Sequence, residues 1–208
     1  DIHRELLLSK NIILLKEASF AEAVENNWVS PFLEYNVFLY LTDEEQLEYD
    51  KINKKYENSF NYFLRNYDDA MGCLKKEYRE EYCKRWNRDS KLTLLKSLDF
   101  SSSIKNRKGL IYNAFNKYQT VLNILEDNPD EEAIIFSEST NFCDNLHSIL
   151  PNSTIYHSKI PEKKKKQNLN DFLEGKYKYL IGAKSVDQGF DKPSVALGII
   201  ASGTSSTL

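Results

Sequence analysis

Gly189, Asp191 and Pro193 form a Gly-x-Asp-x-Pro loop directly behind the apolar run Tyr179-Leu-Ile-Gly182. A buried strand that opens into a polar loop with a glycine and a carboxylate places chemistry at the carboxyl end of a parallel sheet. The plainer reading is a tight turn, with Gly189 supplying backbone freedom and Asp191 acting as a local cap. Ser137-Glu138-Ser139 follows a second apolar run, Ala133-Ile-Ile-Phe136, in the same way. These residues suit a strand exit that caps the next helix.

Other candidates are more diffuse. Arg79, Lys84, Arg85, Arg88, Lys91 and Lys96 alternate with Tyr78, Tyr82 and Trp86. Cations suit phosphates and aromatic rings suit bases, yet three aromatics at helical spacing read first as a core stripe. Lys163 to Lys166 read as a solvated helix face, with Glu162 as a local counter-charge. His157 reads as a satisfied strand-end histidine. Cys73, Cys83 and Cys143 lack metal-ligand spacing and read as buried free thiols of a reducing compartment.

The elements that must hold these groups change character along the chain. Ser19 and Glu22 have capping-box spacing before a short helix that Asn26-Asn27 end. Trp28 to Phe32 reads as an extended exit, and Asn36 to Leu41 as a strand. Thr42 and Glu45 repeat the capping-box spacing. Tyr49, Ile52, Tyr56, Phe60, Phe63 and Tyr67 then mark one face of a long helix. Helical pattern continues to about Arg88, with a break near Met71-Gly72. A further helix is expected over 107–125. Beyond Asn128-Pro129 the pattern becomes strand and helix in alternation. Strands fall at 133–136, 154–156, 179–181 and 195–201, with helices at 140–150 and 162–173. Continuous apolar strands between helices imply a parallel sheet covered on both faces.

Charge is unevenly spread over the 208 residues, whose formal net charge is −3. Residues 1–74 carry net −7, residues 75–108 net +6 and residues 109–208 net −2. The basic block is a candidate phosphate-facing surface. No apolar run approaches a membrane span, so no membrane partner is expected. The first residue is Asp1 rather than Met, and the expectation is a segment of a longer protein.

The run from Tyr179 to Pro193 resembles motif V of superfamily-two nucleic-acid helicases and translocases. Ala133 to Ser139 is similar to their motif IV, and Tyr156-His-Ser158 to a strand-end His-Gly. Lys163 to Gly175 resembles the following Arg…Phe…Gly helix. Ala21 to Phe32 is similar to the junction between the two motor domains, in the branch of DNA-repair, phage recombination and type III restriction translocases. The pieces occur in the family's order over residues 1–42 and 105–208.

The resemblance implies an α/β fold: a RecA-like parallel sheet with flanking helices, plus an α-helical insertion. It divides the chain into a connector (1–33), a C-terminal RecA-like domain (34–42 and 105–208, incomplete before motif VI) and an insertion (43–104). It implies ATP-binding roles for Gly189 and Asp191, and nucleic-acid contacts for Ser137, Ser139, Lys184 and Ser185. No metal ligand and no catalytic residue are expected here, because ATP and Mg are held mainly by the first motor domain. That domain and a nucleic acid, DNA before RNA, are the expected partners. The chain alone is expected to be inactive, and its place is intracellular, cytoplasmic or nuclear. Ala183 stands where the family has a phosphate-holding Thr, and Gln188 where it has Glu. These departures suit a divergent lineage, viral or phage lines included. They also leave a rival open: a non-catalytic RecA-like module used as an interaction scaffold. A flavodoxin-like phosphate binder is disfavoured, since no Gly-rich loop follows the first strand.

Overall fold

The computed structural model describes Glu22, Glu25, Asn26, residues 33–183 and residues 192–202. The chain divides into two units, Asp1–Phe38 and Leu39–Leu208. In the first, Glu22 and Glu25 are helical and the Asn26 amide donates to the Glu22 carbonyl at 3.0 Å. Residues 33–38 are exposed and form no strand.

The second unit opens with four helices: α1 (Asp43–Tyr62), α2 (Tyr67–Gly72), α3 (Lys76–Trp86) and α4 (Ser90–Tyr112). The α1 capping box is as the spacing predicts. The Glu45 amide donates to Thr42 Oγ1 at 3.3 Å, and the Thr42 amide to Glu45 Oε2 at 3.0 Å. Phe63, Ala70, Cys73, Tyr82 and Phe100 form the core of this layer, with Tyr56 and Phe60 stacked on Phe100.

A short helix α5 (Phe115–Asp127) leads into the sheet. Strands β1 (Glu132–Phe136), β2 (Ser153–Tyr156), β3 (Tyr179–Gly182) and β4 (Val195–Ile200) alternate with helices α6 (Thr140–Ile149) and α7 (Glu162–Leu173). All pairings are parallel, in the order β2-β3-β1-β4. Alternation of side chains splits the sheet between two cores. Ala133, Ile135, Ile181 and Ile199 meet Val121, Leu125, Phe142 and Leu146 of α5 and α6. Ile134 and Leu180 meet Phe172 of α7 on the other face. Gly175, at φ 76°, ends α7 where a side chain would be strained. The result is the expected α/β fold, a parallel sheet with flanking helices.

Four local expectations are corrected. Residues 36–41, expected as a strand, form none among the described residues. The aromatic stripe does not run through to Tyr67 in one helix. α1 stops at Tyr62, and Leu64 and Arg65 take positive φ in the turn. The helix expected over 107–125 is two: α4 ends at Tyr112, where Asn113 Nδ2 donates to the Gly109 carbonyl, and α5 restarts at Phe115. Of the Tyr78, Tyr82 and Trp86 stripe only Tyr82 is core; Tyr78 and Trp86 are exposed. Helix α4 is also continuous from Ser90, which apolar periodicity does not show. Its buried face is built from Phe100 and from Thr93, Ser97 and Ser103, three small polar side chains on the helix that packs most extensively on α1.

Candidate nucleic-acid interface

The carboxyl ends of β1, β3 and β4 meet in a tight polar cluster. Ser137 follows β1, and its amide donates to the Gly182 carbonyl of β3 at 3.0 Å. The Ser137 and Ser202 hydroxyls lie 2.8 Å apart, joining the exits of β1 and β4. Ser202 Oγ also accepts from the Glu138 amide at 3.1 Å, and Ser137 Oγ from the Ser139 amide at 3.1 Å. Both serines are buried. Each hydroxyl is thus committed to shaping the turn that leaves β1.

Ser139 caps α6. Its Oγ accepts from the Phe142 amide at 3.2 Å and donates to Asn113 Oδ1 at 2.9 Å. The second bond ties the first turn of α6 to the α4–α5 junction. Lys108 of α4 reaches Glu138 at 3.4 Å, and Lys117 Nζ of α5 donates to the Ala201 carbonyl at 2.8 Å. Burial lowers the Lys117 pKa, so its single carbonyl partner only partly offsets the cost of removing that charge from water.

His157 closes the β2 exit. The Lys159 amide donates to its Nδ1 at 3.3 Å, so Nε2 carries the proton that faces Asp144 Oδ1 at 2.9 Å. Buried and satisfied on both nitrogens, it is a structural histidine. Lys165 lies over the Tyr156 ring at 5.2 Å and pairs with Glu162 at 2.7 Å. The rest of that lysine run is solvated or nearly so.

The structure brings Ser137 and Ser139 together at one end of the sheet. Lys184, Ser185, Gly189 and Asp191 lie outside the described residues. Their flanks are fixed: Ala183 is buried at the exit of β3, its amide donating to the Tyr156 carbonyl at 3.1 Å. Lys192, ahead of β4, sits at the opposite end of the sheet beside Glu132. Sequence reasoning missed Asn113 and Ser202. Asn113 was hidden inside an expected helix, although a polar side chain next to small Ala114 does interrupt the apolar period. Ser202 has no local signal, because its role arises only when β4 lies beside β1.

The family described as helicase conserved C-terminal domain matches residues 116–207. DNA 3'-5' translocase XPB2 of Sulfurisphaera tokodaii is 21% identical over 185 residues, covering 88% of this chain. The chain spans 39% of that relative's length. Among solved structures, the Sulfolobus solfataricus SWI2/SNF2 ATPase C-terminal domain superposes with a TM-score of 0.53 at 13% identity, over 80% of this chain and 70% of that one. At that identity the likeness concerns the fold alone. Residues 116–207 thus match the helicase conserved C-terminal domain family, and the parallel sheet with flanking helices has the fold of such domains.

Proposed function

We propose that this chain is the second motor domain of an ATP-dependent nucleic-acid helicase or translocase. The observation that carries the reading is the convergence of Ser137, Ser139 and Ser202 at the carboxyl face of a parallel RecA-like sheet, where α6 also presents its amino terminus. Backbone amides at such a terminus favour an anionic group. Because the serine hydroxyls and the Glu138, Ser139 and Phe142 amides are paired with one another, the phosphate contact here would fall to the remaining amides of the first turn of α6. Lys184 and Ser185 would extend this track, and Gly189 and Asp191 would face ATP across the cleft to the first motor domain. ATP and Mg would be held mainly by that domain, so the chain alone turns over no ATP.

DNA is the favoured strand, since the matched relative is described as a DNA translocase. Free thiols at Cys73, Cys83 and Cys143 suit an intracellular site, cytoplasmic or nuclear. The observation that favours a non-catalytic scaffold is the buried Ala183, which offers no hydroxyl where a strand contact is wanted.

The test is nucleic-acid-stimulated ATP hydrolysis by the full-length parent, wild type against Asp191→Ala. Stimulated turnover that collapses in the variant supports the motor and puts Asp191 at the cleft. No turnover in the wild type moves the assignment to the scaffold. Turnover untouched by the substitution keeps the motor and removes Asp191 from the site. Turnover by the isolated chain overturns the half-motor reading.

A further inference from the structure

We propose that the groove between α1, α2 and the second half of α4 binds single-stranded nucleic acid, stacking an unpaired base on Tyr67 and seating a phosphate on Arg107 and Lys108. The inference rests on the nucleic-acid reading above and adds a site on the helical layer. The groove encloses about 420 Å³ and is walled by Tyr56, Tyr67, Arg107, Lys108, Ile111 and Tyr112. That volume suits a small organic group of roughly nucleotide size.

Arg107 is the centre of the argument. Its guanidinium lies 4.4 Å from the Tyr56 ring centroid and 5.4 Å from that of Tyr49, and its Nη2 donates to Tyr49 Oη at 3.0 Å. Tyr56 in turn stacks on Phe100, so the cation is held in place by the core. Nε is buried and has no hydrogen-bond partner, and no carboxylate pairs with Arg107 among the described residues. A positioned arginine with spare donors and no anion is matched by a phosphate oxygen. Lys108 adds a second cation over the Tyr112 ring at 5.0 Å, and its 3.4 Å contact with Glu138 is long enough to yield to a phosphate.

Tyr67 supplies the stacking wall. It is 56% exposed, and its ring stands T-shaped to buried Phe100 at 5.8 Å. An exposed ring held against a core residue can take a base on its open side, and only an unpaired base can reach it. Continuity favours a strand over a free nucleotide. Lys108 links the groove to Glu138, which stands between Ser137 and Ser139 at the sheet's carboxyl end. The two places lie on one path.

The test is fluorescence anisotropy of the 208-residue chain with a short labelled oligothymidylate and its duplex, at low and moderate salt. Tyr67→Ala should weaken single-strand binding by about 5- to 150-fold, and Tyr67→Phe should leave it intact. Arg107→Gln should lower the salt slope by about 0.7, the share of one phosphate. Because both residues also touch the helical core, the wild type is photocrosslinked to an iodouridine-bearing strand. Adducts on peptides with Tyr67 or Tyr112 support the groove. Adducts confined to other segments, binding unchanged in both variants, or preference for the duplex overturns it and leaves the motor reading standing. A wild type that binds neither form overturns the groove and the nucleic-acid reading together.

Discussion

Lys192 Nζ lies 2.7 Å from Glu132 Oε1 and 2.8 Å from the carbonyl oxygen of Phe172, with only 9% of its side chain exposed. It joins the residue that enters β4 to the first residue of β1 and the end of α7. Its ammonium also lies 4.2 Å from the Phe172 ring centroid. Lys192→Met should therefore cost about 1–3 kcal/mol, because Glu132 is left without its cation in a half-buried place. The double variant with Glu132→Gln should recover part of that loss. Urea unfolding of the four members of the cycle measures it, and purely additive costs would show that the pair is not coupled.

The same pair sets a pH dependence. Hydrogen bonds from Lys192 and then Ser194 hold the Glu132 carboxyl below the ordinary range. A lowered folded value means stability that is complete above the ordinary carboxylate pKa of about 4.3 and is lost as pH falls through the lowered value. Asp171, lowered chiefly by Lys176, acts in the same direction. Unfolding midpoints in urea should thus fall with acidification below about pH 4, less steeply in Glu132→Gln than in wild type. Equal slopes would remove Glu132 from the acid response.

Glu45 serves two helices at once. One oxygen completes the α1 capping box, while Oε1 accepts from the Phe115 amide at 2.8 Å, at the start of α5. α5 has no capping side chain of its own, since Ala114 occupies that place. Thr42→Ala should cost about 1 kcal/mol, and Glu45→Ala more, because two helix starts lose an acceptor. Thermal melts that rank the two the other way would contradict this.

Two kinds of buried serine should respond in opposite ways. Ser97 Oγ lies in α4 with no partner, so Ser97→Ala removes an unsatisfied group and favours the helix by about 0.5–1 kcal/mol. Ser202→Ala orphans the Glu138 amide and takes a partner from Ser137, costing about 1–3 kcal/mol. Chemical denaturation of both variants gives the two signs.

Burial pushes the Cys73 thiol up to about 11 and the Cys143 thiol up to about 12. Neither forms thiolate near neutral pH, whereas Cys83 is only half-buried. Alkylation of the native chain followed by peptide mapping should label Cys83 first. Early labelling at Cys143 would mean that the sheet's core opens locally.

The α/β half was legible because its central strands, β1 and β3, are buried on both faces and read as unbroken apolar runs. Glu162–Leu173 is the helix its period predicts, and Gly175 ends it. The helical half was read less well, for two physical reasons. α4 buries Thr93, Ser97 and Ser103, so its inward face is not apolar and carries no hydrophobic period. The restart at Phe115 takes its acceptor from Glu45, which is remote in sequence. At the strand ends, Ser137 and Ser139 were visible as serines after a strand, but their partners Ser202 and Asn113 come from other elements. Asp191 and Gly189 were read from the motif alone.

The strand order also imposes an order in time. β1 is central, and Ala133 pairs with Tyr179 on one side and Leu197 on the other. Neither partner exists until almost all of the described chain has been made. The core around Phe63, Tyr82 and Phe100 needs only residues that come earlier. During synthesis, the helical layer is complete while β1 still waits as an unpaired apolar strand, because distant pairing is slow to close. Pulsed hydrogen exchange during refolding should protect α1 and α4 before β1, and simultaneous protection would show that the two halves fold as one.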